Sequence, residues 1–167
     1  MSEQLINELI DTQAIRQALF RYCRGLDRMD KAMAYGVFHH DSTVNYHGMF
    51  QGTGHGFVDW VWQSHEGMER HSHQITNQLI ELDGKQAVSE AYVSLVLWTI
   101  PQDSGEQTEI QVRGRYLDRW QKREGLWAIV DREYVQDMQT DARVVRGYTS
   151  DQSTRDRHDA SWRFFAQ

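Results

Sequence analysis

Residues 70–82, 86–100, 108–121 and 126–138 form four long strand-like stretches separated by very short connections. Asp83-Gly84 and Glu124-Gly125 are hairpin-turn pairs, because a two-residue turn needs φ > 0 and glycine adopts it without steric cost. Pro101 to Gln107 makes a longer hairpin loop. Connections this short cannot carry a parallel crossover, so the second half is predicted to be an antiparallel meander. The second stretch, Val88 to Ile100, is a long apolar run, which predicts a central strand covered on both faces.

The first third has a different period. Leu5, Ile6, Leu9, Ile10, Ile15, Ala18, Leu19, Tyr22, Cys23 and Leu26 recur at helical spacing. Asp11 is placed to cap a second helix after a short first one, and Gly25 lies near its stop. Asp30 is predicted to cap a helix over Lys31–His39. A β piece is expected at Ser42–His47, then a loop punctuated by Gly48, Gly52, Gly54 and Gly56, then a short aromatic helix over Phe57–His65. Helices followed by an antiparallel meander define an α+β fold. Four long strands with helices on one face should curl into a cone with an interior. The chain divides into a domain over residues 1–140 and a C-terminal tail over 141–167. Ser153 or Thr154 could cap a short helix in that tail, whose aromatic end (Trp162, Phe164, Phe165) is expected to pack on the domain or cover the pocket.

Composition narrows the function. With 167 residues, 40% of them hydrophobic, the chain can bury the core of one domain. Lys plus Arg number 18 against 24 Asp plus Glu, a net charge of −6 that repels phosphate backbones and argues against a nucleic-acid partner. The lone Cys23 cannot form an internal disulfide, and suits a reducing compartment and a core position. The first 20 residues carry acids and no continuous apolar run. Neither a signal peptide nor a membrane span is therefore expected, and a soluble, cytoplasmic protein is.

Two distant residues suggest chemistry. Asp27 falls between two predicted helices, and His73 opens the first long strand within Arg70-His71-Ser72-His73-Gln74. A histidine titrates near neutrality and can take a proton, and a carboxylate on its other nitrogen fixes the tautomer. Tyr22 and Tyr46 offer hydroxyls to a carbonyl or a leaving group. Arg113 and Arg115 share one strand face and could bind an enolate or a carboxylate. Met49 and Phe50 are candidates for the pocket rim, and Trp60 and Trp98 for its wall. His71 and His73 also share a face, which raises a two-histidine metal site. Glu69, His39, His40 and His47 are only candidate third ligands, so no metal and no cofactor is assigned. Asp27 could instead satisfy backbone N–H groups between helices, and His73 could be an ordinary strand histidine. The arginines after residue 139 are read as a solvated or subunit-facing surface.

The order of these motifs resembles the SnoaL-like proteins of the NTF2-like superfamily. It is carried by Tyr22-Cys-Arg-Gly-Leu-Asp27, by His73-Gln-Ile-Thr-Asn77, by Gly114-Arg-Tyr-Leu-Asp-Arg-Trp120 and by Glu124-Gly-Leu-Trp127, over about residues 5–138. The resemblance implies an NTF2-like cone, with helices packed on a strongly curved, mainly antiparallel sheet. Scytalone dehydratase, bile acid 7α-dehydratase and the lindane dehydrochlorinase are similar to this chain in an aspartate matching Asp27 and a histidine matching His73. The bile acid enzyme also resembles it at Tyr22, and scytalone dehydratase at Tyr46. The pattern departs from that of scytalone dehydratase where Leu26 stands in place of a tyrosine, and where Arg113 and Arg115 are the positions nearest to that enzyme's second catalytic histidine, which this chain lacks there. What the resemblance implies is a cofactor-independent dehydratase acting on a hydrophobic multi-ring alcohol such as a hydroxysteroid or polyketide, with His73 as base and Asp27 as its orienter. An isomerase or aldol-type cyclase using the same pair, and a non-catalytic small-molecule binding domain, are the alternatives. A homo-oligomer is implied too, a trimer before a dimer.

Overall fold

A computed structural model describes residues 2–144 and 147–165. Its elements are α1 (Glu3–Asp27), α2 (Lys31–Tyr35), β1 (Phe38–Tyr46), β2 (Phe50–Thr53), α3 (Gly54–Glu66), β3 (Met68–Asp83), β4 (Gln86–Thr99), β5 (Thr108–Arg123), β6 (Leu126–Arg143) and α4 (Trp162–Phe165). The strands form one sheet in the order β2-β1-β6-β5-β4-β3. Among the described residues only the β1–β6 pairing is parallel. The helices cover the concave face, giving the α+β, NTF2-like cone that the motif order implied.

Several local expectations are corrected. α1 is one continuous helix of 25 residues, because Asp11 does not cap; its carboxylate reaches Lys122 Nζ at 2.6 Å instead. Asp30 does cap α2, accepting from the Met33 N–H at 3.1 Å, but the helix ends at Tyr35 and the chain is extended from Phe38. The glycine-rich loop contributes β2, which pairs with β1. β4 is not covered on both faces. Its burial alternates, and Val88 and Tyr92 remain exposed on the convex side, so the apolar run reflects β-propensity on an open face as well as core packing.

Two glycines permit close approaches that shape the interior. A Cβ on Gly25 would lie 2.8 Å from the Ala34 backbone nitrogen, so Gly25 lets α2 fold back across the last turn of α1. A Cβ on Gly114 would lie 2.4 Å from the Val135 carbonyl oxygen and 2.8 Å from the Tyr134 ring. Gly114 also adjoins a register shift between β5 and β6. In β3 the pairing shifts between Thr76 and Leu79, where Asn77 has φ 46°. Bulges of this kind sharpen local twist and help bend long strands into a cone.

Candidate active site

Asp27 is the last residue of α1 and Met29, two residues on, has φ 50°. This turn aims the Asp27 side chain at the start of β3. The carboxylate accepts the His73 backbone N–H at 3.1 and 3.0 Å, and the ring Nδ1–H of the same residue at 2.7 Å. His71, two residues earlier on the same face, approaches Asp27 Oδ1 through its Nδ1 at 3.4 Å. Burial works against the charge on Asp27. The hydrogen bonds from His71, then from His73, outweigh it and hold the carboxyl at about 2. An ionised carboxylate only accepts, so Nδ1 of His73 carries a proton, and in the neutral ring Nε2 holds the lone pair.

His73 lines a cavity of about 290 Å³ inside the cone. Its walls are mostly apolar, with Leu26, Val93, Leu95, Leu97, Ile110 and Val112 among them. Larger hollows of about 550 and 610 Å³ lie elsewhere, near the β3–β4 turn and beside α2, and neither is lined by Asp27 or His73. Four tyrosines, Tyr22, Tyr46, Tyr116 and Tyr134, face the interior. Tyr46 stacks on Tyr134 at 4.7 Å, and Tyr22 meets Tyr116 edge-on at 6.1 Å. The hydroxyls of Tyr22 and Tyr46 are buried and make no hydrogen bond among the described residues. Burial raises the pKa of all four phenols, that of Tyr134 to about 12, so they stay protonated and act as hydrogen-bond donors. Beneath them, Arg132 forms a fully buried bidentate pair with Asp118 at 2.6 and 2.9 Å. The Arg132 guanidinium lies 4.0 Å from the Tyr116 ring centroid and 4.8 Å from that of Tyr22.

The structure brings His73, Tyr22, Tyr46, Met49 and Trp60 together around this cavity, with Asp27 hydrogen-bonded to His73. Phe50 stands one layer back, against Phe57 and Trp60, each at 5.6 Å. Trp98 does not line the cavity; its Nε1–H donates to Glu109 at 2.7 Å. Arg113 and Arg115 project from the opposite face of β5 to the cavity-lining Val112 and Tyr116. Arg115 is engaged there by Asp137 at 3.0 Å, while Arg113 is exposed. Neither arginine reaches the cavity, because alternation along β5 sends odd-numbered positions outward at that point.

Three neighbours of the pair escaped the sequence reading. His65, from α3, stacks on His71 at 4.3 Å and lies 5.5 Å from His73. Its Nδ1 is buried without a partner among the described residues, and burial, then the neighbouring histidines, lower its pKa to about 2. His71 was noted only as half of a metal motif. Arg155 turns inward, contrary to the surface role expected of the late arginines: its Nη1 donates to the His65 carbonyl at 2.6 Å and to His71 Nε2 at 3.1 Å. Arg146, which shared that expectation, lies outside the described residues. Asp27, His71 and His73 bring three ligand-type atoms within 4.8 Å of one another. Both Nδ1 atoms are committed to hydrogen bonds with Asp27, and a guanidinium sits on the far side of His71, so the cluster is a hydrogen-bonded network.

This cone with an acid–histidine pair defines a class, and comparisons with known proteins give the family. A SnoaL-like domain model matches residues 7–133, so the chain belongs to the SnoaL-like family. A candidate scytalone dehydratase from Novosphingobium aromaticivorans has a similar structure, with TM-score 0.71 and 23% identity over 86% of this chain and 95% of that one. The hexachlorocyclohexane dehydrochlorinase LinA-type3 from Novosphingobium barchaimii is similar at TM-score 0.73 and 13% identity, over 87% of this chain and 98% of that one. A candidate aromatic ring hydroxylase from Novosphingobium aromaticivorans gives TM-score 0.68 and 21% identity, over 82% and 95%. No curated protein sequence matches. At these identities the structural likeness speaks for the fold alone.

Proposed function

We propose that the protein is a cofactor-independent lyase, a dehydratase that removes water from a hydrophobic, multi-ring alcohol bearing a nearby carbonyl. The observation that carries this reading is the 2.7 Å bond from His73 Nδ1–H to Asp27, which leaves a basic Nε2 on a ring that lines the cavity. His73 takes the acidic α-proton, and Asp27 orients the ring and stabilises the imidazolium. Tyr22 and Tyr46 present free hydroxyls to the carbonyl or the departing oxygen. Pockets for drug-sized ligands span roughly 300–1,000 Å³. A mostly apolar cavity of about 290 Å³ lies at the lower end of that range and suits a hydrophobic ring substrate.

An isomerase or aldol-type cyclase shares the first step. What favours it is the raised pKa of all four cavity tyrosines, which makes them better hydrogen-bond donors to an enolate than acids for a leaving hydroxyl. A purely binding domain is less consistent with an open cavity and an aspartate within hydrogen-bond reach of the histidine.

Incubation with cyclic β-hydroxy ketones and hydroxysteroids, followed by mass spectrometry, tests the reading. Wild type should produce a mass lower by one water. His73→Ala and Asp27→Asn should each lose about 10²–10⁴-fold in rate. Full activity in His73→Ala would remove the base assignment, and an isomer of unchanged mass would select the second reading.

A further inference from the structure

His71 lies on the far side of the catalytic pair from the cavity, and its side chain is fully buried. It is faced by Asp27 from α1, by His65 from α3, by its strand neighbour His73, and by Arg155 from the segment after β6. On the adjacent strand its partner is the uncharged Leu97. Glu69 and Arg70 add charge near Arg155.

Arginine has no acceptor and stays protonated. Arg155 Nη1 therefore donates to His71 Nε2, and that nitrogen must hold its lone pair. The single proton of a neutral His71 then sits on Nδ1, where Asp27 accepts it. We infer that Arg155 is a positioning residue for the Asp27–His73 pair, acting through His71: its guanidinium holds His71 in the one neutral tautomer that gives its N–H to Asp27.

The segment carrying Arg155 is fixed for this task. Arg28 Nη1 donates to the Thr154 carbonyl at 2.6 Å and pairs with the buried Asp159 at 3.2 Å. Arg24 Nη1 donates to Ser161 Oγ at 3.1 Å, and its guanidinium lies 5.1 Å from the Trp162 ring centroid. Arg24, in the last turn of α1, and Arg28, its C-cap, flank Asp27, so the C-terminal end of α1 holds both the carboxylate and the segment that supplies Arg155. A protonated His71 would point an N–H at the guanidinium. In agreement, its pKa is lowered, first by burial, with Arg155 adding to the effect. Without Arg155 the buried Nε2 loses its donor, and protonation of His71 beside the Asp27 carboxylate is opposed only by burial and by His73. An imidazolium there competes with the His73 imidazolium for the same carboxylate.

The consequence for catalysis rests on the proposed function, but the geometry does not, and the test separates them. Imidazole ¹⁵N spectra of the substrate-free wild type at pH 7 should show His71 protonated at Nδ1 and bare at Nε2. The opposite tautomer would overturn the inference without any variant. In Arg155→Met, His71 should titrate at higher pH, kcat at pH 6 should fall roughly tenfold to a hundredfold with KM unchanged, and Arg155→Lys should restore both. An unchanged His71 titration in Arg155→Met, or full turnover by that variant beside an inactive His73→Ala, would overturn it. Full activity in His73→Ala would instead count against the proposed function, leaving the ¹⁵N result to decide Arg155.

Discussion

Two buried side chains at the site are ionised or neutral for opposite reasons, and both make the protein sensitive to acid. Asp27 is held at about 2, below its ordinary 3.8, so its stabilisation is present above pH 3.8 and is lost as pH falls toward 2. His65 is held neutral, with its pKa near 2 against an ordinary 6.5. The unfolded chain binds that proton first, so stability falls as pH drops below 6.5 and continues to fall until the folded state is protonated too. At pH 5 the His65 contribution amounts to about 2 kcal/mol. His65→Leu should therefore flatten the dependence of Tm on pH between 6.5 and 5, read by thermal melts at fixed ionic strength. An unchanged slope would mean that His65 is not the buried neutral base. His65 and Arg155 left no mark in the sequence for a physical reason. His65 looks like the end of an aromatic helix, and Arg155 lies in a polar stretch with no period to say which way it points. Asp27 and His73 were legible through their types and their resemblance to a family pattern.

At the scale of elements, the junction of α1 and α2 sets the geometry of the pair. Gly25→Ala places a methyl 2.8 Å from the Ala34 nitrogen and 3.1 Å from the Asp30 carbonyl, both backbone atoms that cannot swing aside. We expect a loss of about 1–3 kcal/mol in urea unfolding. The proposed turnover should fall as well, because Asp27 sits two residues further on. Wild-type stability in that variant would show that α2 shifts at no cost. Local chemistry made this region readable where it is dominant: Asp30 caps as its side chain dictates, and Gly84 and Gly125 adopt the positive φ that their turns require. Asp11 was misread because capping and a distant ion pair use the same carboxylate, and sequence does not reveal Lys122, 111 residues away, as its partner. Arg113 and Arg115 show a similar limit. Alternation placed them together on one face, but only the sheet's curvature decides which face is inside.

The whole molecule leaves apolar surface uncovered. Leu5, Ile6, Leu9 and Ile10 on the first turns of α1 are exposed, as are Leu79, Val88, Tyr92 and Met138 on the strands. Surfaces of this kind mark association sites. We propose a homotrimer, with a dimer second. Light scattering at micromolar concentration should return about three times the 19.7 kDa chain mass, and a monomer would count against either assembly. No helix among the described residues is long and apolar enough to cross a membrane.

The parallel pairing of β1 against β6 carries a consequence for how the molecule comes into being. Phe38 meets Ile129, and Asp27 waits for His71 and His73, 44 and 46 residues further on, and beyond them for Arg155. During translation β1 can pair with β2 as soon as both have emerged, but its other edge stays open until β6, the last strand, has been made. Contacts of such long sequence separation form slowly, since the loop must be closed before the contact rewards it. Closure of the sheet between β1 and β6 is thus a late event in the life of each chain, and a ribosome stalled before β6 holds β1 with one edge unpaired.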